Sequence, residues 1–537
     1  MNGALLDGAV GWPPEVAERY RAIGYWRGVA LGGLLTEWAE RFGDAVAVVD
    51  GARRISYREL DRSADVLAAG LLARGIRRGD RVIVQLPNVA EFVVLLFALA
   101  RVGAVPVMAL PAHRRTEIAH LAELSGAVGY VIPDTHQGFD HRELAGEIPS
   151  VAGHVLVVGD PGRFAAFDTV AGDPAVLAGL PPVDPGDVAV LLISGGTTGR
   201  PKLITRTHDD YAYNARASAE VCGLTAADRY LVSLPVAHNF PLACPGLLGV
   251  LGVGGTAVLS PAPSPDVAFE LVERERITVT ALVPPMARLW VDAAAWSAGD
   301  RSSLRLLQVG GAKMDADLAR AIPGALGCRA QQVFGMAEGL LNYTRDDDPA
   351  ELVETTQGRP LSPDDEIRVV DEDGHDVAPG TVGELLTRGP YTPRGYYRAE
   401  QYNATVFTPD GFFRTGDLVR ALPSGHLVVE GRVKDVVNRG GEKVPATELE
   451  DLLLAHPAVA QAAVIGLPDE LLGEQVCAVI VASEQGPPKL KVLKAHLVAL
   501  GVARFKLPDR LVVLDEFPLT AVGKISKREL VERLSGD

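Results

Sequence analysis

The feature that most constrains the fold is a repeated alternation of short apolar runs with helical segments. The run DRVIVQL at residues 80–86 precedes the stretch VAEFVVLLFALARVG, and TVTALVPP at 278–285 precedes MARLWVDAAAW. Strands that alternate with helices are typical of α/β folds with largely parallel sheets. We found no internal repeat of fixed period. The sequence therefore predicts an α/β protein with a large N-terminal domain of parallel-type β-sheets flanked by helices.

The pattern changes at residues 420–445, where the segment PSGHLVVEGRVKDVVNRGGEKV is polar and rich in glycine. Helical and extended patterns then alternate over a stretch of about 100 residues, which is an ordinary domain size. We place a domain boundary at about Lys434. The sequence thus predicts an N-terminal domain of residues 1–433 and a small C-terminal α+β domain of residues 434–537.

Charge and cysteine content exclude several classes of protein. The net charge of −16 argues against nonspecific nucleic-acid binding, which needs a basic face to release phosphate counterions. Because the cysteines are scattered and form no CxxC pair, a structural zinc site or a disulfide framework is not expected, and a reducing cytoplasmic location fits. The four are Cys222, Cys244, Cys328 and Cys477.

Neither a signal peptide nor a membrane span is expected. The first 20 residues contain no basic region followed by an apolar core. Residues 92–112 are largely apolar, but Arg101 lies near their middle and Gly103 and Pro106 interrupt them. This segment is predicted to be a buried helix that ends near Arg101, followed by a short strand.

The segment ISGGTTGRPK at residues 193–202 follows the apolar strand pattern VAVLLI. Its glycines permit close backbone approach, and the hydroxyls of Ser194, Thr197 and Thr198 can surround phosphate oxygens. The spacing is not that of a Walker A loop. By itself this segment predicts a phosphate-binding loop.

Four further segments contain residue types suited to a nucleotide. In FGMAEG at 334–339, Phe334 can stack on a base and Glu338 is an oxygen ligand for Mg²⁺. In GFFRTGD at 411–417, Asp417 can accept hydrogen bonds from two ribose hydroxyls. The remaining two segments are GRVKD with the downstream RGGEK, at 431–435 and 439–443, and PLTAVGK at 518–524.

In this order and spacing the five segments resemble the acyl-adenylate-forming superfamily of acyl-CoA synthetases, luciferases and peptide adenylation domains. The resemblance extends from about residue 31 to residue 530. The segments LPVAHNFPL, VGGAK and FGMAEGLLNYT, at 234–242, 309–313 and 334–344, are most similar to stand-alone aryl-acid adenylating enzymes of siderophore biosynthesis. Those enzymes load 2,3-dihydroxybenzoate or salicylate onto an aryl carrier protein.

The resemblance implies ATP and Mg²⁺ as requirements and a reaction in two steps. The acid's carboxylate attacks the α-phosphorus of ATP and releases pyrophosphate, and the carrier's phosphopantetheine thiol then displaces AMP. The catalytic residues implied are Lys524 and His238. The small domain is implied to be a mobile lid that pivots at Lys434 between the two steps.

The resemblance also assigns binding roles by position. Nucleotide contacts are implied for Ser194, Gly195, Gly196, Thr197, Thr198, Gly199, Lys202, Gly310, Gly311, Gln332, Val333, Phe334, Gly335, Asp417, Arg432 and Lys434. Aryl-acid contacts are implied for His238, Asn239, Phe240, Cys244, Gly311, Ala337 and Leu341. The pantetheine channel is implied to contain Gly440, Gly441 and Lys443, and the metal ligand is Glu338.

Three positions bear on which acid is bound. Adenylation domains for α-amino acids typically have an aspartate where Asn239 stands, so a neutral residue here favours an aryl acid over an amino acid. Cys244 matches salicylate enzymes, whereas dihydroxybenzoate enzymes have a serine that can bond the 3-hydroxyl. Leu341, bulkier than the valine of dihydroxybenzoate enzymes, favours salicylate for the same reason.

Other functions are compatible with parts of the pattern. An aryl-CoA ligase shares the first step and uses free CoA as acceptor, and 2,3-dihydroxybenzoate is the alternative acid. A phosphotransferase built on the glycine-rich loop would produce ADP, and a nucleotide-binding module would not need Lys524. For the carrier protein, the sequence offers one candidate basic patch, made of Lys489, Lys491, Lys494, Arg504 and Lys506.

Overall fold

The structure is a computed structural model that divides into two compact units. It describes residues 6–194, 201–439, 442–469, 472–500, 502, 504–520 and 523–535. The first unit comprises Met1–Gly196, Arg200–Glu366 and Arg388–Phe413. The second comprises Thr197–Gly199, Ile367–Thr387 and Arg414–Asp537.

The first unit contains three sheets. Its strands are β1 (Val46–Asp50), β2 (Arg53–Ser56), β3 (Arg81–Val84), β4 (Val105–Met108), β5 (Gly129–Pro133), β6 (Thr135–His136), β7 (Phe139–Asp140), β8 (Val155–Val158), β9 (Ala165–Ala166), β10 (Val188–Ile193), β11 (Leu203–Thr207), β12 (Arg229–Val232), β13 (Thr256–Leu259), β14 (Val279–Leu282), β15 (Leu306–Gly310), β16 (Arg329–Met336), β17 (Gly339–Tyr343) and β18 (Arg359–Pro360).

Helices connect most of these strands. They are α1 (Pro14–Ala22), α2 (Leu31–Phe42), α3 (Tyr57–Ala73), α4 (Ala90–Val102), α5 (Arg115–Ser125), α6 (His141–Gly146), α7 (His208–Val221), α8 (Asn239–Ala243), α9 (Gly246–Gly252), α10 (Pro265–Glu275), α11 (Pro284–Ala294), α12 (Ala316–Leu326), α13 (Ala350–Thr355) and α14 (Glu400–Val406), with 3₁₀ turns at Pro149–His154, Phe167–Thr169 and Pro174–Gly179.

Parallel pairing dominates the two large sheets. The nine-stranded sheet has the order β18-β17-β16-β15-β14-β12-β13-β1-β2, and the seven-stranded sheet has the order β11-β10-β4-β3-β5-β8-β9. The strands β12, β14, β15 and β16 are joined to one another in parallel pairs, whereas the pairs β16–β17 and β10–β11 are antiparallel. These mixed sheets with flanking helices confirm the predicted α/β class.

Helix α4 shows why the apolar stretch at 92–112 stays inside the protein. All of its residues except Glu91 and Arg101 are buried, and it ends at Gly103, whose φ of 74° no β-branched residue would adopt readily. Strand β4 follows directly. The prediction of a buried helix followed by a strand is confirmed. In the described part of the chain, no helix is both long and apolar enough to cross a membrane.

The second unit contains a four-stranded and a five-stranded sheet. Its elements are β19 (Glu366–Val370), β20 (Val382–Arg388), β21 (Phe413–Ala421), β22 (Leu427–Arg432), β23 (Val436–Arg439), β24 (Glu442–Pro445), β25 (Val459–Asp469), β26 (Gly473–Ala482), β27 (Arg510–Leu514), α15 (Ala446–Leu454), α16 (Leu490–Ala499) and α17 (Lys527–Leu534), with 3₁₀ turns at Val433–Asp435 and Arg504–Lys506.

Lys434 lies in the 3₁₀ turn between these two sheets. The four-stranded sheet has the order β19-β20-β21-β22, and the other has the order β24-β23-β26-β25, with β27 paired to β26. The compact unit therefore starts earlier in the chain than the predicted domain of residues 434–537. The boundary at Lys434, as the point where a lid would pivot, stays a prediction.

Candidate active site

The carboxyl ends of neighbouring parallel strands bring the predicted acid-binding residues of the first unit to one edge of the large sheet. Gly310 ends β15, and helix α8 starts a few residues after β12. The hairpin between β16 and β17 lies at the same edge, because β16 is parallel to β15. In open α/β sheets, ligands bind at such strand ends.

Helix α8 places Asn239 and Phe240 at this edge. His238 precedes the helix, and its Nδ1 accepts a hydrogen bond from the Phe240 amide at 3.2 Å, which caps the helix start. The Phe240 ring packs against Gly310 so closely that a Cβ at position 310 would lie 3.1 Å from the ring and 2.7 Å from the Val333 carbonyl oxygen. Gly310 is therefore a glycine for lack of space.

Asn239 and Cys244 form a buried polar pair next to this ring. Asn239 Nδ2 donates to Cys244 Sγ at 3.4 Å, and the thiol lies 3.5 Å from the Asn239 carbonyl oxygen. Only 7% of Asn239 and 1% of Cys244 are exposed. Burial raises the pKa of the Cys244 thiol to about 12, so both side chains are neutral at physiological pH.

The β16–β17 hairpin contains the second wall of predicted acid-binding residues. Leu341 is buried opposite Gly335, and a Cβ at position 335 would lie 2.3 Å from Leu341 Cδ2. Ala337 and Glu338 form the turn, and the Tyr396 hydroxyl donates to Glu338 Oε1 at 2.7 Å. The carboxylate predicted to bind Mg²⁺ is thus held by a neighbouring phenol.

The residues on and next to β15 and β16 that are predicted to contact the nucleotide differ in burial and in hydrogen bonding. Gln332 is buried, and its Nε2 donates to the Val353 carbonyl oxygen at 2.9 Å. Val333 is also buried and pairs with Gly310 across the two strands. Phe334 is partly exposed, and Gly311 is exposed with a φ of 84°. Contacts of these residues with a base stay predictions.

The structure describes the base of the predicted phosphate loop. Ser194 Oγ accepts from the Lys202 amide at 3.0 Å, and the Ser194 amide donates to the Lys202 carbonyl oxygen at 2.9 Å. The Lys202 ammonium lies 3.9 Å from the centroid of the Tyr402 ring. Gly195, Gly196, Thr197, Thr198 and Gly199 lie outside the described residues.

In the second unit, the two predicted ribose residues are cross-strand partners. Asp417 on β21 pairs with Arg432 on β22, and Arg432 Nε donates to Asp417 Oδ1 at 2.8 Å. Asp417 is only 4% exposed, and burial raises the pKa of its carboxyl, although Arg432 and Lys524 oppose this shift. The buried carboxyl is therefore paired directly with the Arg432 guanidinium, which opposes the effect of burial on its pKa.

Lys524 is exposed, and its charge opposes the rise in the pKa of Asp417 that burial causes. Two hydrogen bonds join Thr520 and Lys524, from the Thr520 amide to the Lys524 carbonyl oxygen at 2.7 Å and from the Lys524 amide to Thr520 Oγ1 at 3.1 Å. Lys524 and the predicted ribose ligand Asp417 therefore belong to the same unit and interact electrostatically, although about 100 residues separate them in sequence.

The channel residues are described only in part. Gly440 and Gly441 lie outside the described residues, as does the side chain of Lys443. Lys443 belongs to β24, which pairs antiparallel with β23. Their role in a pantetheine channel stays a prediction.

Beneath the residues predicted to bind the acid lies a buried polar group that was not predicted from the sequence. Arg206 on β11 is fully buried, pairs with Asp210 at 2.7 Å, and donates to the Ala337 carbonyl oxygen at 3.2 Å. Tyr211 Oη donates to Asn239 Oδ1 at 2.9 Å, and Asn214 Nδ2 donates to the Ala243 carbonyl oxygen at 2.6 Å. The segment TRTHDDYAYN at 205–214 contains all four of the missed residues on β11 and α7. Its charged residues beside a strand were the available signal.

Known proteins share this chain's sequence over nearly its whole length. A 2,3-dihydroxybenzoate-AMP ligase of Bacillus subtilis is 52% identical over 534 residues, 99% of this chain and 98% of that protein. A salicyl-AMP ligase / salicyl-S-ArCP synthetase of Mycobacterium tuberculosis is 52% identical over 538 residues, 98% of this chain and 95% of that protein. A salicylyl-CoA synthase / salicylate adenylyltransferase of a Streptomyces species is 53% identical over 544 residues, 99% of this chain and 98% of that protein.

A solved structure and two family models agree with these relatives. The apo structure of MbtA from Mycobacterium smegmatis is 53% identical, with a TM-score of 0.77 over 99% of this chain and 100% of that chain. The model of the AMP-binding enzyme C-terminal domain matches residues 448–524, and the model of the AMP-binding enzyme matches residues 35–397. This chain therefore belongs to the AMP-binding enzyme family.

Proposed function

We propose that this protein is an ATP-dependent ligase that adenylates an aryl acid, with salicylate as the favoured substrate. It then transfers the acyl group to the phosphopantetheine thiol of an aryl carrier protein in siderophore biosynthesis. The observation that carries the proposal is the neutral, buried Asn239–Cys244 pair packed beside Phe240 and Gly310. Membership of the AMP-binding enzyme family supports the adenylation step.

The neutral pair favours an acid without an ammonium group. An α-amino acid would bury its charge beside an amide and a thiol, and an unpaired buried charge costs several kcal/mol. An aromatic ring, in contrast, gains by packing on Phe240, since aromatic pairs contribute about 0.5–1.5 kcal/mol beyond the area that they bury. The pocket chemistry therefore supports an aryl acid.

Cys244 and Leu341 favour salicylate over 2,3-dihydroxybenzoate. A buried neutral thiol is a poor donor, so a 3-hydroxyl brought beside it would lose hydrogen bonds to water without full replacement. Leu341 is 2% exposed and packs into the space beside Gly335, which makes this wall bulky and apolar. The dihydroxybenzoate-AMP ligase activity is the alternative, and a relative bears that name.

Adenylation brings two anions together, so the site needs cations. Two unit charges 4 Å apart repel by about 4 kcal/mol at an effective dielectric near 20. We assign this role to Lys524, whose charge acts on the predicted ribose ligand Asp417, with Lys202 at the base of the phosphate loop. His238 would lie beside both substrates. The carboxylate of Glu338, an oxygen donor of the kind Mg²⁺ prefers, would hold the ion, which when bound screens phosphate charge.

For the second step we propose a pivot of the lid at Lys434 and a pantetheine path along Gly440, Gly441 and Lys443. An aryl-CoA ligase remains the second candidate, because one relative is named both a salicylyl-CoA synthase and a salicylate adenylyltransferase. The two differ only in whether the thiol belongs to free CoA or to a carrier protein.

Helix α16 supports a protein partner on the second unit. Lys489 and Lys491 are exposed at its start, and Val492, Val498 and Leu500 expose 48%, 53% and 49% of their surface along it. Exposed apolar residues beside basic ones are suited to docking an acidic protein. Within the predicted basic patch, Lys506 is already paired with Glu448 at 2.6 Å, which leaves the start of α16 as the better part of the patch.

Acid-dependent exchange of labelled pyrophosphate into ATP tests the adenylation step. The purified protein is assayed with salicylate, 2,3-dihydroxybenzoate, benzoate and several amino acids. We expect exchange with salicylate first, 2,3-dihydroxybenzoate second and none with amino acids. ADP as the product, or exchange driven by amino acids alone, would refute the proposal. Offering CoA and a holo-carrier protein side by side then identifies the acceptor.

A further inference from the structure

Tyr211 is a fully buried residue of α7, and its hydroxyl contacts Asn239, a residue predicted to bind the substrate. Its Oη donates to Asn239 Oδ1 at 2.9 Å. Burial raises the pKa of the Tyr211 phenol well above its ordinary value of 10, so the group keeps its proton and remains a donor. A phenol that donates to Oδ1 fixes which end of the Asn239 amide faces it.

Neighbouring charges hold the Tyr211 ring in place. The Arg206 guanidinium carbon lies 4.8 Å from the ring centroid, within the distance of a cation–π contact. Arg206 is itself fixed by Asp210 at 2.7 Å and by the Ala337 carbonyl oxygen at 3.2 Å. Since Arg206, Asp210 and Tyr211 are all fully buried, the hydroxyl has a single well-defined position.

With Oδ1 occupied, Asn239 offers only donors from its other end. One N–H of Nδ2 is directed at Cys244 Sγ, 3.4 Å away. Among the described residues, the second N–H has no partner, and a buried amide N–H without one is a strong donor for a ligand oxygen.

We propose that Tyr211 is a positioning residue for Asn239. By holding Oδ1, it orients the Asn239 amide so that an N–H faces the substrate, and it thereby selects acids whose ortho substituent accepts a hydrogen bond. This inference rests on the proposed function and adds a residue that acts through Asn239 without touching the substrate.

The selection follows from the chemistry of ortho-substituted benzoates. The hydroxyl of salicylate donates its hydrogen to its own carboxylate, so the hydroxyl oxygen presents lone pairs outward. Anthranilate, which has an amino group in that place, keeps an N–H directed outward after making the same internal bond. A fixed N–H donor on Asn239 can bond the hydroxyl oxygen of salicylate, whereas it meets another N–H donor in anthranilate and repels it.

The test is the Y211F variant, with Y213F as its matched control. Tyr213 lies on the same helix, is 4% exposed, and donates to Ser362 Oγ at 2.7 Å, so Y213F also removes one buried hydroxyl. The quantity measured is the ratio of kcat/KM for salicylate to kcat/KM for anthranilate in pyrophosphate exchange. We expect this ratio to fall at least about tenfold in Y211F, where the amide can turn its oxygen outward, and to stay within twofold in Y213F. An unchanged ratio in folded Y211F overturns the proposal.

A double-mutant cycle separates positioning from a general structural effect. In an N239A background, Y211F should leave the ratio unchanged, because Tyr211 acts through the amide. If Y211F does not fold, N239D provides the second test, since it replaces the donor by an acceptor beside an intact Tyr211 and should also lower the ratio. An unchanged ratio in N239D refutes the inference. Failure of the wild-type protein to activate salicylate would instead refute the proposed function.

Discussion

The buried carboxyl of Asp365 predicts how the stability of the protein changes with pH. This carboxyl is enclosed in the first unit, where Oδ2 accepts from the Tyr391 hydroxyl at 2.5 Å and from the Ser362 amide at 2.9 Å. Oδ1 has no hydrogen-bond partner within the described residues, and a Cβ at Gly389 would lie 2.2 Å from it. Burial raises the pKa of Asp365 to about 7. The D365N variant keeps the shape and an acceptor for both bonds, and it removes the titration.

The direction in which stability changes with pH follows from the raised pKa of Asp365. The folded protein holds the proton up to about pH 7, whereas the unfolded chain loses it near pH 3.8, so stability falls as pH rises through this window. Between pH 6 and pH 8 the loss is about 1.4 kcal/mol, equivalent to one pH unit of full titration. For a unit of about 390 residues, with an unfolding entropy of about 2.1 cal/mol/K per residue, this corresponds to about 2 °C in Tm.

The assay is thermal unfolding of the wild-type protein and of D365N at pH 6, 7 and 8, above the pI near 5.2 to maintain solubility. We expect the Tm of D365N minus that of the wild type to increase by about 2 °C from pH 6 to pH 8. The D364N variant controls for the loss of a carboxylate that is partly exposed and paired with Arg19. A difference between D365N and wild type that is constant with pH would refute the assignment of a buried, protonated Asp365.

Three further predictions address the reaction. K524A should lower salicylate-dependent pyrophosphate exchange by about 10²–10³, because it removes the cation beside the reacting phosphate; exchange at the wild-type rate would contradict the proposed role. C244S should raise kcat/KM for 2,3-dihydroxybenzoate relative to salicylate by about tenfold, the value of one added hydrogen bond, and an unmoved preference would reject the pocket argument. K489E/K491E should slow acyl transfer to the carrier protein while pyrophosphate exchange stays at the wild-type rate; acidic residues suit the start of α16, so folding is not at risk, and equal loading would discard this surface.

The class of the fold could be predicted from sequence because its determinants are local. Helix α4 and strand β4 follow from an apolar run broken by Gly103 and Pro106. Gly310 and Phe334 are assigned to the site through the resemblance, whereas strand β14 and helix α11, like α4 and β4, follow from apolar and helical patterns, here at residues 278–296. Local patterns of this kind survive in the folded protein.

The buried residues that support the predicted acid-binding residues could not be predicted in the same way. Arg206 and Asp210 are charged, and such residues are almost always exposed unless paired, so sequence alone assigns them to the surface. Their burial depends on the pairing of β11 with β10 and on the position of the β16–β17 hairpin, both set by long-range contacts. The pairing of Asp417 with Arg432 likewise depends on an irregularity in register at Leu418 that no local pattern reveals.

Leu341 and Gly335 share one volume across the β16–β17 hairpin, since the leucine side chain fills the place where a Cβ at position 335 would stand. The space along this wall is consequently set by residue 341, and position 335 can change only together with it. A descendant enzyme could admit a larger ring by shortening residue 341 alone, whereas any side chain gained at 335 would have to be accompanied by a smaller residue at 341. Evolution towards bulkier substrates therefore has a one-step route through residue 341, whereas a side chain at position 335 requires two coordinated changes.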